Sequence, residues 1–195
     1  MINRDWQADL RASLTPTAAD GSLRLALMGI GHELCGDDAA GLELAARLRA
    51  AAGPRDGLLI LEAGPAPENF TGPLRRFRPD LVLLVDAAQM DAAPGTLAWV
   101  DPCAVQGISA STHTLPLDLL SIYLRSELGC QVALLGIQPG QTFENAPLSA
   151  PVRAAVETLL AALLEQLGIG HTREQAAPAQ TNVHSTHLER KKENG

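Results

Sequence analysis

Four side chains of this chain could do chemistry together. Asp37 and Asp38 stand side by side in LALMGIGHELCGDDAAG (residues 25–41), Asp86 closes the apolar run DLVLLVD, and His113 lies in a polar segment at residues 109–114. Two carboxylates and an imidazole suit a borderline divalent ion such as Ni²⁺ or Zn²⁺, with positions left for water or another ligand. Without a metal, the same groups could still move protons to and from a water. Ser111-Thr112-His113 is not a G-x-S-x-G elbow, and no glycine-flanked Ser or Cys sits on a strand-to-helix turn. A hydrolase built on this chain would therefore use an activated water. The glycines do not mark a phosphate site, because two aspartates repel an anion where a P-loop or dinucleotide turn would welcome one. Each residue also has a plainer reading. Asp is a preferred N-cap and favours the positive end of a helix, so one of the pair is expected to cap. His113 alone reads as a loop histidine, and Asp86 as a partner for a neighbouring loop.

For these groups to meet, the chain must bring distant strand ends to one edge. Residues 22–31 are apolar enough for a central strand, and residues 38–52 follow as a helix with Leu42, Leu44, Ala45 and Leu48 inward. Residues 58–62 form a second strand. After the loop AGPAPEN, a short helix starts at Pro67 and stops before Pro79. Residues 80–86 form a third strand ending at Asp86. Residues 96–100 read as an antiparallel edge strand. Residues 115–128 form a helix with Leu119, Leu120 and Tyr123 on its inner side. Residues 131–138 are another buried strand, and residues 150–167 a long helix with Val152, Val156, Leu159, Leu160 and Leu163 inward. Alternating strand and helix predicts a three-layer α/β/α sandwich around a twisted, mostly parallel five-stranded sheet. In such a sheet Asp38 and Asp86 share the carboxyl edge, where open α/β proteins bind ligands.

The 195 residues and net charge of −7 fit one domain that does not bind nucleic acid. No run approaches the ~20 apolar residues of a membrane span, and the first residues lack a signal-peptide core, so no membrane insertion is expected. Cys35, Cys103 and Cys130 share no CxxC spacing and read as reduced thiols of a cytoplasmic protein. Cys35 sits in the acid loop and reads as a small buried hydrophobe before it reads as a ligand or nucleophile. Residues 1–22 read as an N-terminal extension in which Trp6, Leu10 and Leu14 recur at helical spacing. Residues 23–168 form the body. Residues 169–195 read as a disordered tail that holds His171, His184, His187, Lys191 and Lys192.

At the acid loop and its companions the chain resembles the nickel-iron hydrogenase maturation endopeptidases, most closely the branch that processes the large subunit of hydrogenase 3. The matching stretches are GIGHELCGDDAAG, AGPAPENF, RPDLVLLVDAAQM, the Pro94-Gly95 and Asp101-Pro102 steps, STHTLPLDLL and LLGIQP, in order across residues 24–167. The resemblance implies a five-stranded sheet between helices and an aspartate-dependent endopeptidase, with Asp38, Asp86 and His113 as metal-binding and catalytic residues. It implies removal of a C-terminal extension from the large-subunit precursor once nickel is in place, by a cut after a basic residue. The Ni²⁺ would arrive with the precursor, and no organic cofactor is expected. Gly64, Glu68 and His32 are the expected substrate contacts, Glu68 as an acid facing the basic residue. His32 stands where the family commonly has Asn, so it reads as a fourth ligand, a substrate contact or, more simply, a loop substitution. The chain is expected to act as a monomer. A general metal-dependent peptidase or amidase, and a non-catalytic chaperone for the large subunit, are the competing functions.

Overall fold

The computed structural model describes residues 2–3, 5–15, 22–102 and 116–170. His113, Cys103 and the tail from His171 onward, with His184 and His187, lie outside them. The apolar runs become strands. β2 (Leu25–Ile30) and β4 (Leu81–Ala87) are buried along their whole length. β3 (Leu58–Gly64), β6 (Gln131–Ile137) and β5 (Leu97–Val100) join them. A two-residue strand, β1 (Ile2–Asn3), is added by the first residues. The sheet order is β1-β5-β6-β4-β2-β3. β3, β2, β4 and β6 are mutually parallel, while β5 runs antiparallel to β6 and β1 antiparallel to β5. β5 is therefore not the edge expected from its sequence, because β1 pairs outside it, Ile2 opposite Val100. A pairing of two residues is too short to leave a periodic trace in the sequence.

Helices cover both faces. α1 (Trp6–Leu14), α2 (Ala40–Ala52) and α5 (Ala150–Gln166) pack on one side, where Leu10, Leu44, Leu48, Val156 and Leu159 meet Leu27, Leu83 and Leu135. α3 (Thr71–Phe77) and α4 (Leu117–Leu128) cover the other, where Leu74, Leu120 and Leu124 meet Met28, Val82 and Leu84. Strand side chains alternate between these two cores, as a sheet covered on both faces requires. The expected spacing at Trp6, Leu10 and Leu14 places all three in the first core. Each contributes about 1.5–3 kcal/mol on burial.

α4 corrects one expectation. Its buried residues are Leu117, Leu120, Ser121 and Leu124, whereas Leu119 and Tyr123 are exposed. The i, i+3, i+4, i+7 stripe runs through Ser121, whose hydroxyl donates to the Leu117 carbonyl at 2.6 Å. That bond lets a polar residue occupy a core position. The Tyr123 hydroxyl accepts from Arg75 instead.

Candidate active site

The strand order reverses direction between β2 and β4. The chain leaves β2 toward β3 on one side and returns to β4 on the other. Ligands of open α/β sheets bind in the crevice outside the strand ends at such a switch point. Asp38 follows β2 in a 3₁₀ turn, Gly36–Ala39, that leads into α2. Asp86 lies one residue beyond Val85, which pairs with Gly29 of β2. Two glycines bring the helix down onto these strand ends. A Cβ on Gly41 would overlap the carbonyl oxygens of Val85 and Ile30 and come within 2.9 Å of the Ile30 nitrogen. A Cβ on Gly29 would overlap the Gly41 carbonyl. The backbone of the first turn of α2 thus rests on both strands, with Asp38 at the crevice.

The two adjacent aspartates meet different surroundings. Asp37 is fully buried. Its Oδ2 accepts from the Gly140 N–H (2.8 Å), the Gln141 N–H (3.0 Å) and the Ser149 hydroxyl (2.9 Å), and its Oδ1 from the Ser149 N–H (2.6 Å). Burial pushes this carboxyl up, but the bonds from Ser149, Gly140 and Gln141 outweigh it and hold it below its ordinary 3.8. Asp38 is 6% exposed. Its Oδ2 accepts the His32 N–H at 2.8 Å. Its Oδ1 has no hydrogen-bond partner among the described residues. Burial pushes Asp38 up, and the backbone bond from His32 only partly offsets this. Neither carboxylate caps α2, contrary to the capping expectation. The residue at the cap position is Ala39, and Asp38 bonds backward to the strand-end turn. Asp86 is 1% exposed in the middle strand of the sheet. The structure therefore places Asp38 and Asp86 at the same carboxyl edge of the sheet, where β4 meets the 3₁₀ turn. His113 lies outside the described residues, among which no group of three His, Cys, Asp or Glu could hold a metal.

Beside the crevice runs a groove of about 680 Å³. His32 and Gly64 line it, and Glu68 does not. The His32 side chain is exposed and its Nδ1 accepts the Leu34 N–H at 3.3 Å. Gly64, in the left-handed region, receives the Gly31 N–H on its carbonyl. Glu68 sits in a 3₁₀ turn, Pro67–Phe70, with a buried Oε2 that has no hydrogen-bond partner among the described residues. Cys35 is half-buried, not buried as expected, because its turn lies at the groove rim. The far wall is Ala146, Pro147 and Leu148. Sequence reasoning missed that wall and the donors on Asp37. The signal available was Pro139-Gly140 followed by Ser149 before Ala-Pro, which marks a loop between a strand stop and a helix start but not where the loop folds back.

A buried carboxylate with a raised pKa and an orphaned oxygen can accept or deliver a proton, or ligate a metal presented to it. Comparisons with known proteins show the family. A family model described as HycI, hydrogenase maturation protease, matches residues 42–166, beginning just after the aspartate pair. The hydrogenase 3 maturation protease of Escherichia coli is 36% identical over 134 residues, which cover 68% of this chain and 84% of that protein. The crystal structure of the NiFe hydrogenase maturation protease HycI from Thermococcus kodakarensis superposes with a TM-score of 0.72 at 32% identity, over 82% of this chain and 99% of that one. The E. coli hydrogenase maturating endopeptidase HybD gives a TM-score of 0.64 at 26% identity, over 75% of this chain and 93% of its own. The chain therefore belongs to the HycI family of hydrogenase maturation proteases.

Proposed function

We propose that this protein is an endopeptidase that removes the C-terminal extension of a nickel-iron hydrogenase large-subunit precursor after nickel insertion. The observation that carries the reading is the orphaned, buried Oδ1 of Asp38 at the carboxyl edge of the sheet, the edge at which Asp86 ends its apolar run, in a chain of this family. Asp38, Asp86 and His113 engage the nickel held by the precursor, so the ion belongs to the substrate. An incomplete ligand set suits docking onto a metal that already has ligands of its own. A water attacks the scissile carbonyl and passes a proton to a carboxylate. The C–N bond then breaks, and the released amine takes that proton. Asp38 suits the role of that carboxylate, because burial raises its proton affinity. His32 and Gly64, at the groove, contact the precursor chain. The partnerless oxygen of Glu68 suits a basic side chain before the cut. The reaction takes place in the cytoplasm, with the enzyme as a monomer.

The test mixes the purified protein with a large-subunit precursor, nickel-loaded or nickel-free, and follows the precursor's mass. Loss of a C-terminal peptide only from the loaded form is expected, and single alanine substitutions at Asp38, Asp86 and His113 are expected to abolish it. Cleavage of unrelated peptides would favour a general peptidase. Co-elution with no change of mass would favour a chaperone. Processing at the wild-type rate by all three variants would sink the residue assignment.

A further inference from the structure

The loop between β6 and α5 has both ends fastened to one side chain. Asp37 binds Gly140 and Gln141 where the loop begins and Ser149 where it ends. The Asp37 N–H also donates to the Gln141 carbonyl at 2.8 Å. Ser149 occupies the N-cap position of α5, yet its side chain makes no cap bond. A serine there ordinarily accepts from the first turn of its own helix. Here the hydroxyl donates to Asp37 instead, so the helix start gives up a favourable cap to hold the loop. Gly36 fits the same join, since a Cβ there would lie 2.6 Å from the Gln141 carbonyl oxygen.

The loop held in this way is the far wall of the groove. Ala146, Pro147 and Leu148 face Leu42, Glu43 and Ala46 of α2 and Gly64-Pro65 across it. At the rim, Phe143 is 64% exposed and Leu34 49% exposed, and the Asn145 N–H donates to the Leu34 carbonyl, joining the two rim segments. These two apolar side chains are open to a chain laid along the groove. Asp37 holds one side of that surface, and the next residue, Asp38, stands at the crevice.

We propose that Asp37 is a positioning residue for substrate. It latches the 140–149 loop so that the groove and its Leu34–Phe143 rim grip an extended segment of the precursor beside Asp38. The proposal rests on the protease reading above. The latch acts on binding and leaves the chemistry to Asp38 and Asp86.

The test separates KM from kcat on a nickel-loaded precursor in Ser149→Ala, which removes one latch bond, and in Asp37→Asn, which weakens all of them. Ser149→Ala is expected to raise KM about tenfold with kcat within about twofold, the loss of one hydrogen bond to a charged group. Asp37→Asn is expected to raise it further. Amide hydrogen exchange at Gly140, Gln141 and Ser149 should accelerate in both variants. A fall in kcat at constant KM would overturn the proposal, and so would faster exchange with unchanged kinetics, or exchange that does not change. If the wild-type protein does not cut the precursor, the protease reading fails. The latch is then judged by the Kd for the precursor, expected to rise about tenfold in Ser149→Ala. An unchanged Kd would overturn it.

Discussion

Gly41→Ala isolates the contact that seats the site. In an ordinary helix this substitution is favourable by up to about 1 kcal/mol, because alanine loses less backbone entropy on folding. Here the new methyl would overlap the carbonyl oxygens of Val85 and Ile30. Those are backbone atoms of two buried strands and cannot rotate aside as a side chain would. Overpacking of this kind costs about 1–3 kcal/mol, and a rigid backbone wall puts the cost at the upper end. The net is a loss of about 2 kcal/mol, or roughly 4–8 °C in Tm for a chain of this size. Gly72 supplies the control. It also lies in a helix, but a Cβ there would meet only the Arg76 Nη1, at 3.7 Å. Gly72→Ala is therefore expected to leave Tm unchanged or raise it by a few degrees, roughly 2 °C. Thermal melts of the two variants beside wild type make the comparison. Well below both melting temperatures, Gly41→Ala should process precursor more slowly by about tenfold or more, because a displaced α2 carries Asp38 away from β4. If Gly41→Ala melts with Gly72→Ala, at or above wild type, the helix does not rest on the strands. If it melts lower but processes at the wild-type rate, α2 does not position Asp38.

Asp38→Asn should abolish processing while stabilising the fold at neutral pH. The folded pKa of Asp38 lies above its unfolded value, so the penalty for burying its charge exists above the folded pKa and disappears below about 3.8. Urea unfolding should therefore show the gain shrinking as pH falls, and a constant or negative difference would refute the sign. Asp37 has the opposite linkage. Its folded pKa lies below 3.8, so its bonds stabilise the fold above that pH and lose effect as pH falls through the lowered value. Asp37→Asn should cost about 2–4 kcal/mol at neutral pH and much less in acid, read by the same unfolding curves. Leu10→Ala, at a side chain 1% exposed in the first core, should cost about 2–5 kcal/mol in chemical denaturation. A loss under about 0.5 kcal/mol, the size of an ordinary surface effect, would mean that α1 does not pack on the sheet.

Where composition and period decide the outcome, the fold was legible. The apolar runs at residues 25–30 and 81–85 read as buried strands between helix layers, and they are. Trp6, Leu10 and Leu14 lie a helical turn apart and share one core. α4 offered two apolar stripes, and the choice turned on Ser121, whose hydroxyl is satisfied within its own helix. The periodicity of a sequence does not show that bond. β1 is held by pairing with β5, nearly a hundred residues away, so no local signal could place it. The edge on which the two acids lie was legible in outline because acids that follow parallel strands share the carboxyl edge of the sheet. The groove wall was not, since that wall closes through bonds from Asp37 to residues more than a hundred positions on.

Asp37 and Asp38 are the same residue type, adjacent, and both buried, and capping rules assign either of them the same modest role. Their pKa values nevertheless move in opposite directions, and the cause is only which donors each oxygen meets. Four donors fasten Asp37 as an anion. One donor and an orphaned oxygen leave Asp38 poised toward its neutral form. Groups whose surroundings push their pKa values apart mark the division of work at an active site. By that argument Asp37 is committed to structure, whereas Asp38 is the group whose surroundings leave an oxygen without a donor among the described residues. One charge is spent on the loop that builds the groove, and the other carries a burial penalty that its single donor only partly offsets.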